Sequence, residues 1–332
     1  MDFSLSSSLV GGAVSNPDKL ALDLQFAADK TLTARKGPTP QFTRGSIGTF
    51  VGSDGQIQTA ASGIPRFDHS PISPFVCRGL LIEEQRTNLV FPSNVLTTQT
   101  RTVTATSTTL SFYGTGTVVL SGAFSSTVVG SGVYPSRTVL TFTPTAGSLT
   151  LTVTGSVVFA QLEAGPFASS YIPTTTGTVV RSADVCSITS SAFSGFYNNT
   201  QGTLVTNACA TGFGPAQNPV ASIENGTTQV LRLRYVATTN RLSSIVSAVA
   251  LNPASNYDVA NTFYKAALSA GATSADFVIN GTQIPDTYTG SLLTADNMKI
   301  SVATAGVSNT CISSIRYYKK QLPVAKLQAL TV

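Results

Sequence analysis

Residues 148–154, Ser-Leu-Thr-Leu-Thr-Val-Thr, decide the fold class, because apolar and hydroxylated residues alternate strictly along them. Successive side chains of a β-strand point to opposite faces of the sheet. We therefore predict that Leu149, Leu151 and Val153 face a core and that the threonines face outward. Similar short runs, separated by glycine turns, occupy residues 108–113, 118–121 and 137–143. The spacing predicts a β-sandwich over residues 96–165.

The composition of the whole chain also favours strands. Only 11% of the 332 residues are charged, against about 25% in an average globular domain. Between Thr102 and Leu162, Arg137 is the only charged residue. Hydroxylated and β-branched residues take the place of charge, as in pleated sheets with polar outer faces. The composition predicts an all-β protein.

The regions on either side of this sandwich differ from it. Residues 1–95 carry more charge and are interrupted by prolines and glycines, so we predict an extended arm with short strands that attaches to a partner. Residues 166–190 are predicted to be a connector. Residues 191–332 show further strands, with hairpin signals at Asn225-Gly226 and Asn280-Gly281. The stretch from Pro323 to Leu330 predicts a short terminal helix.

Several classes of function are not expected. The four cysteines lie far apart and a single histidine is present, so we predict buried thiols, no metal site and no cofactor. The net charge of +5 is diffuse, and no nucleic-acid partner is predicted. The uncharged stretch from Thr102 to Ser136 alternates with a period of two residues, which argues against membrane insertion.

No catalytic residue is predicted either. Asp68-His69-Ser70 has the residue types of a hydrolytic triad, but neighbours in sequence cannot adopt its geometry, and a loop histidine is expected. The pair Glu83-Glu84 would have to converge across a sugar to act as glycosidase carboxylates. Adjacent residues on a strand point to opposite faces, so we predict one of them buried against Arg78 or Arg86 and the other solvated.

The charged residues of the N-terminal region are candidates for assembly contacts. Two alternatives are open: they lock the region to its own chain, or they bind a neighbouring subunit. The residues concerned are Arg44, Arg66, Arg78, Glu83, Glu84 and Arg86. For contact with glycans, Tyr235, Tyr257 and Tyr288 are candidates for stacking against sugar rings, with structural packing as the alternative.

Seven short segments carry a recognisable pattern: Phe42–Ser46, Gly48–Phe50, Pro65–Asp68, Arg78–Leu89, Gln161–Gly165, Ser170–Thr174 and Arg181–Val185. Together they resemble the surface proteins of tailed bacteriophages, namely tail-fibre, head-fibre and decoration proteins. The middle region resembles a carbohydrate-binding-like sandwich. Residues 202–205 and 315–318, with 322–331, are similar to the opening and closing segments of concanavalin A-like (laminin-G-like) jelly rolls.

The resemblance implies a non-enzymatic structural protein on the virion surface, assembled in the cytoplasm of the host bacterium. Its expected partners are other virion proteins of the capsid or tail, and host surface glycans. The nearly uncharged middle region has the composition of an interface, and the resemblance suggests a homotrimer. The alternatives are a tailspike enzyme that cleaves polysaccharide and a tail adhesin that binds a receptor.

Overall fold

The computed structural model describes residues 18–212, 218–226, 228–236, 241–251, 261–285, 288, 292–303, 306–307 and 309–332. In the N-terminal region the elements are short: β1 (Leu20–Leu24), α1 (Phe26–Asp29), β2 (Gln41–Thr43), β3 (Gly48–Val51), β4 (Ile57–Ala60), β5 (Arg66–His69), β6 (Cys77–Ile82) and β7 (Arg86–Asn88). Strands β3 and β4 form a hairpin that turns at the predicted Asp54-Gly55, where Gly55 has φ +75°.

The middle region contains seven strands: β8 (Gln99–Val103), β9 (Thr108–Tyr113), β10 (Thr117–Gly122), β11 (Ser126–Val129), β12 (Thr138–Phe142), β13 (Gly147–Thr154) and β14 (Val158–Ala164). They form two sheets, ordered β11-β10-β13-β8 and β12-β9-β14. Leu149 and Leu151 are fully buried between these sheets, whereas Thr152 and Thr154 are exposed. The predicted middle β-sandwich is therefore confirmed, with the predicted face inward.

The rest of the chain supplies the remaining elements: β15 (Val179–Arg181), β16 (Val185–Thr189), α2 (Ser190–Phe196), β17 (Gly202–Gly212), β18 (Asn218–Asn225), β19 (Thr228–Val236), β20 (Arg241–Val246), β21 (Val249–Leu251), β22 (Tyr264–Ala270), β23 (Ala275–Ile279), β24 (Thr282–Ile284), β25 (Asn297–Ile300), β26 (Val302–Ala303), β27 (Gly306–Val307), β28 (Asn309–Tyr318) and α3 (Val324–Thr331). Both predicted Asn-Gly hairpins are present, β18–β19 and β23–β24. The all-β fold class with a short C-terminal helix is confirmed.

Two large sheets form the second sandwich. One has the order β24-β23-β22-β17-β28-β6-β5, with β1 also paired to β28; the other has the order β2-β16-β25-β18-β19-β20-β21. Apolar residues from both sheets make one continuous core, which includes Leu22, Leu80, Leu204, Ile223 and Leu268. Helix α3 packs on the outer face of the first sheet through Leu327, as its apolar stripe predicts.

The predicted boundary at residue 95 does not separate two structural units. The short strands predicted for residues 1–95 exist, but β1, β5 and β6 pair within the first large sheet and β2 pairs within the second. Leu20 lies opposite Tyr318, and Leu81 lies opposite Cys311. The N-terminal region therefore completes the C-terminal sandwich, and the middle sandwich is inserted between the two parts of the chain that build it.

Three of the four cysteines fit the prediction of buried thiols. All four are free; Cys186, Cys209 and Cys311 are buried and Cys77 is partly exposed. Among the described residues, no helix has the length and apolar character needed to cross a bilayer. The same residues contain no group of three or more His, Cys, Asp or Glu side chains placed to hold a metal ion.

Candidate functional site

The segments that carry the recognisable sequence pattern meet where the two sandwiches join. They bring together four arginines and four carboxylates, which we call the junction network: Arg44, Arg66, Arg86, Arg181, Glu83, Glu84, Glu163 and Asp184. Because the formal charges cancel, the network can lie away from water at a lower cost than an unbalanced cluster.

Strand pairing explains why these residues come together. Strand β7 pairs with β15, and this register sets Arg86 directly opposite Arg181. Two like charges facing each other across strands destabilise the pair, so nearby carboxylates are required. Glu84 forms an ion pair with Arg86, and Glu83 lies 3.0 Å from Arg181.

Glu83 is at the centre of the network. Its carboxylate lies 2.6 Å from Arg66 and accepts hydrogen bonds from the backbone N–H and the hydroxyl of Ser170, at 2.8 and 2.6 Å. Burial raises the pKa of Glu83, but Arg181, Arg66 and the Ser170 bonds outweigh it and hold that pKa at about 2. Glu83 is therefore ionised at any physiological pH.

Asp184 extends the network toward the N-terminal region. It pairs with Arg66 at 2.5 Å and with Arg44 at 3.1 Å. The backbone N–H of Glu83 donates to the Asp184 carboxylate, and the N–H of Asp184 donates to the Glu83 carbonyl. Burial lowers the pKa of Arg66, but Glu83 and Asp184 together raise it above its ordinary value. The two carboxylates thus fix segments that lie a hundred residues apart.

Glu163 ties the middle sandwich to the connector. Its carboxylate accepts hydrogen bonds from the backbone N–H and hydroxyl of Ser169, at 2.9 and 2.7 Å, and from Gln161 at 2.5 Å. Arg137 donates to the Ser169 carbonyl at 2.7 Å. Arg137, the only charged residue between Thr102 and Leu162, therefore also points at the junction.

Asn88 holds the backbone of the same region. Its side-chain amide donates to the carbonyls of Ala160 and Ile172, at 3.0 and 2.8 Å, and its oxygen accepts from the N–H of Leu162 at 3.1 Å. A single side chain thus satisfies backbone groups of β14 and of the connector, which would otherwise be unpaired in the interior.

The junction borders a cleft of about 440 Å³. Its wall includes aromatic and charged side chains from both sandwiches and the connector: Phe50, Asp68, Arg78, Tyr113, Arg137, Phe167 and Tyr171. Arg78 lies 3.6 Å from Asp68 and donates to the Cys209 sulfur at 3.1 Å. The charges of the cleft are therefore partly neutralised inside the chain.

The candidate assembly residues are thus largely used within the chain. Arg44, Arg66, Arg86 and Glu83 are buried, and each has a partner in the same chain. These contacts correspond to the first of the two open alternatives, in which the charged residues lock the N-terminal region to its own chain. Contact with another subunit stays a prediction.

The predicted partner of the buried glutamate was wrong. Glu83 is the buried member of the Glu83-Glu84 pair, but it binds Arg66 and Arg181 instead of Arg78 or Arg86. Arg181 lies within reach of Glu83 because β15 pairs with β7, and Arg66 lies within reach because β5 pairs with β6. Glu84 is the more exposed member and pairs with Arg86.

Two of the three proposed stacking tyrosines do not offer a free ring. Tyr235 is 1% exposed and Tyr288 is 6% exposed, so packing, the alternative reading, describes both. Tyr257 lies outside the described residues.

His69 is not in a loop: it ends β5, is buried, and its Nδ1 contacts the Val51 carbonyl at 3.1 Å. The neighbouring Asp68 instead accepts from the Val51 N–H at 2.8 Å, so the two side chains form no proton relay with each other.

Sequence reasoning missed Arg181, Asp184 and Glu163 as partners, although all three stand in the quoted segments. The available signal was their isolation: Glu163 and Asp184 are the only carboxylates between residues 96 and 190. A lone acidic residue in a charge-poor region is a candidate for a buried ion pair.

Comparison with known proteins gives no family. No family model matches the chain, and a search of curated proteins gave no match. Among solved structures, Trypanosoma rangeli sialidase in complex with sialic acid is 14% identical with a TM-score of 0.37, over 44% of this chain and 26% of that one. The CBM40 of Ruminococcus gnavus IT-sialidase, bound to alpha2,3 sialyllactose, is 17% identical with a TM-score of 0.34, over 41% of this chain and 84% of that one. The chain spans about a quarter of the length of the sialidases it matches. At these TM-scores the likenesses say nothing about the activity of this chain.

Proposed function

We propose that this chain is a non-enzymatic structural protein of a tailed-bacteriophage virion, exposed on the particle as a head decoration protein or as part of a fibre. The observation that carries the proposal is the convergence of the phage-like segments on the junction network. Those segments serve to hold three parts of one chain in a fixed arrangement, which is what a component of a rigid particle needs.

The state of the carboxylates supports a structural role over the tailspike alternative. A glycosidase acid requires a raised pKa and access to the sugar oxygen. Glu83 has a pKa of about 2 and is 2% exposed, and Glu163 and Asp184 are fully buried. Each of these carboxylates already binds arginine or serine groups of its own chain, so none is poised to donate a proton to a substrate.

The other parts of the proposal concern partners. A homotrimer held through the middle sandwich is supported by its outer faces, where Val119, Val129 and Val139 are 40, 65 and 48% exposed and charge is nearly lacking. For contact with host glycans the candidate surface among the described residues is the cleft, because the Phe50 and Phe167 rings there are only partly buried.

Immunogold electron microscopy tests the proposal. Antibody raised against this protein should label intact particles at regular positions on the head or tail. Purified protein incubated with host capsular polysaccharide should release no reducing sugar. Unlabelled particles, or sugar release that the Glu83→Gln change abolishes, would contradict the structural role.

A further inference from the structure

The second large sheet has one face in the core and a polar face opposite it. Along β19, Leu231, Leu233 and Tyr235 belong to the core. Because side chains alternate along a strand, Arg232 and Arg234 lie together on the polar face. Both are nevertheless buried, with exposed fractions of 1% and 7%.

Arg232 is fully compensated on this face. Its Nε donates to the Ser222 hydroxyl at 2.9 Å, and it forms an ion pair with Glu224. Glu224 also binds Lys299 at 2.7 Å. A single carboxylate thus already serves two cations, which leaves it little capacity for a third.

Arg234 has no such compensation among the described residues. No carboxylate of those residues pairs with its guanidinium, and its Nε is buried without a hydrogen-bond partner. Its neighbours across the strands are Ser243 and Pro219, which carry no charge. Burial, followed by the charge of Arg232, lowers the pKa of Arg234 to about 10, so it is still cationic at neutral pH.

We propose that Arg234, with Arg232 beside it, binds a small carboxylate anion on this face of the sheet. A buried cation without a counter-ion is costly, and one negative charge restores the balance at Arg234. The planar guanidinium matches a carboxylate through two parallel N–H···O bonds. This site goes beyond the proposed virion role and does not depend on it.

The test titrates the whole 332-residue chain with sodium acetate and measures the melting temperature at each concentration. Sodium chloride at equal ionic strength is the reference. We expect the melting temperature to rise saturably with acetate, and by more than with chloride, because a ligand that binds only the folded state stabilises it. Arg234→Met should weaken the apparent affinity for acetate by at least about tenfold, corresponding to the loss of one charge-assisted pair.

Arg316→Met is the matched control, because Arg316 lies near the end of β28 and its Nε also lacks a partner, but its side chain is partly exposed. It should respond to acetate as the wild type does. Arg234→Lys keeps the charge but loses the planar guanidinium with its two parallel N–H donors, and it should bind acetate less tightly than the wild type. It also provides the readout if Arg234→Met does not fold.

A second arm identifies the source of the carboxylate, using glucuronate with glucose as its neutral counterpart. Tighter binding of glucuronate than of acetate supports an acidic saccharide, and equal binding supports a free carboxylate. The proposal is overturned if the wild type shows no saturable acetate effect beyond chloride. It is equally overturned if the Arg234 variants respond like the wild type. Neither result bears on the labelling of particles, so the two proposals fail separately.

Discussion

Replacing Glu83 by glutamine tests whether the junction network holds the molecule together. The glutamate accepts bonds from Arg66, Arg181 and Ser170. Glutamine keeps the shape and one oxygen but carries no charge, and its amide places a donor where the carboxylate accepted bonds. Two buried guanidinium groups then face one carboxylate fewer.

The magnitude follows from the titration of the same side chain. The pKa of Glu83 falls from its ordinary 4.5 to about 2 in the folded protein. At about 1.4 kcal/mol for each pKa unit, the charged form is favoured over the neutral form by about 3 kcal/mol. Removal of one partner from a buried ion pair typically costs about 3–5 kcal/mol. We therefore expect Glu83→Gln to lower the free energy of unfolding by about 3 kcal/mol, a large part of the stability of an ordinary domain.

Urea unfolding followed by far-ultraviolet circular dichroism measures this loss, since the chain has no tryptophan. Glu84→Gln is the matched control, because the Glu84 side chain is 25% exposed and binds only Arg86 as an ion pair. Partly exposed pairs contribute about 1 kcal/mol or less. If Glu83→Gln lost no more stability than Glu84→Gln, the network would not be what joins the parts.

Four further results are expected. Because the folded pKa of Glu83 is depressed, the charge of Glu83 contributes to the free energy of unfolding above pH 4.5, and this contribution is lost as the pH falls toward 2. The melting temperature of the wild type should therefore fall over that range more steeply than that of Glu83→Gln. Parallel curves would contradict this. Gly79→Ala should cost more than about 2 kcal/mol, since φ is +115° and the new Cβ would lie 2.0 Å from a carbonyl oxygen of β28, whereas Gly177→Ala meets nothing within 4 Å and should melt like the wild type. Deleting residues 1–90 should give an insoluble or non-cooperatively melting product, because three strands leave the first large sheet; a soluble, cooperatively folded fragment would refute that. Light scattering on the 96–190 fragment should report a trimer, and a clean monomer at micromolar concentration would be incompatible with the proposed interface.

The elements that sequence reasoning found are those with local signals. Alternation around Leu149 and Leu151 and the turn at Asn280-Gly281 depend on neighbouring residues, so a short window contains all the information. The pairing of Leu20 with Tyr318 leaves no such trace, because a half-buried strand has the same pattern whichever strand lies beside it. The sequence pattern alone therefore predicts a separate N-terminal arm.

For the candidate site, too, sequence reasoning found the local features but not the contacts between distant parts of the chain. The segments that contain Glu83, Arg181 and Asp184 were identified, but the pairs among them were not. The partners predicted for Glu83 and Glu84, Arg78 and Arg86, are close to them in sequence, and the Glu84–Arg86 pair is present. The contacts of Arg181 with Glu83 and of Arg44 with Asp184 join residues about a hundred or more positions apart, and the pairing of β7 with β15 and of β2 with β16 brings them within reach.

The position of β28 has a consequence for how the chain reaches its native state. This strand lies between β17 on one side and β1 and β6 on the other, yet it is synthesised after every other strand of its own sandwich. Until β28 is synthesised, the N-terminal strands lack their partner, and their apolar faces stay uncovered while the whole middle region is made. The middle sandwich, whose strands are close in sequence, can form early, whereas the second sandwich is completed only when β28 has been synthesised. Loop closure over such distances makes folding slow and leaves unpaired edges open to aggregation, so production of this protein should depend on chaperones and low temperature more than its final stability suggests.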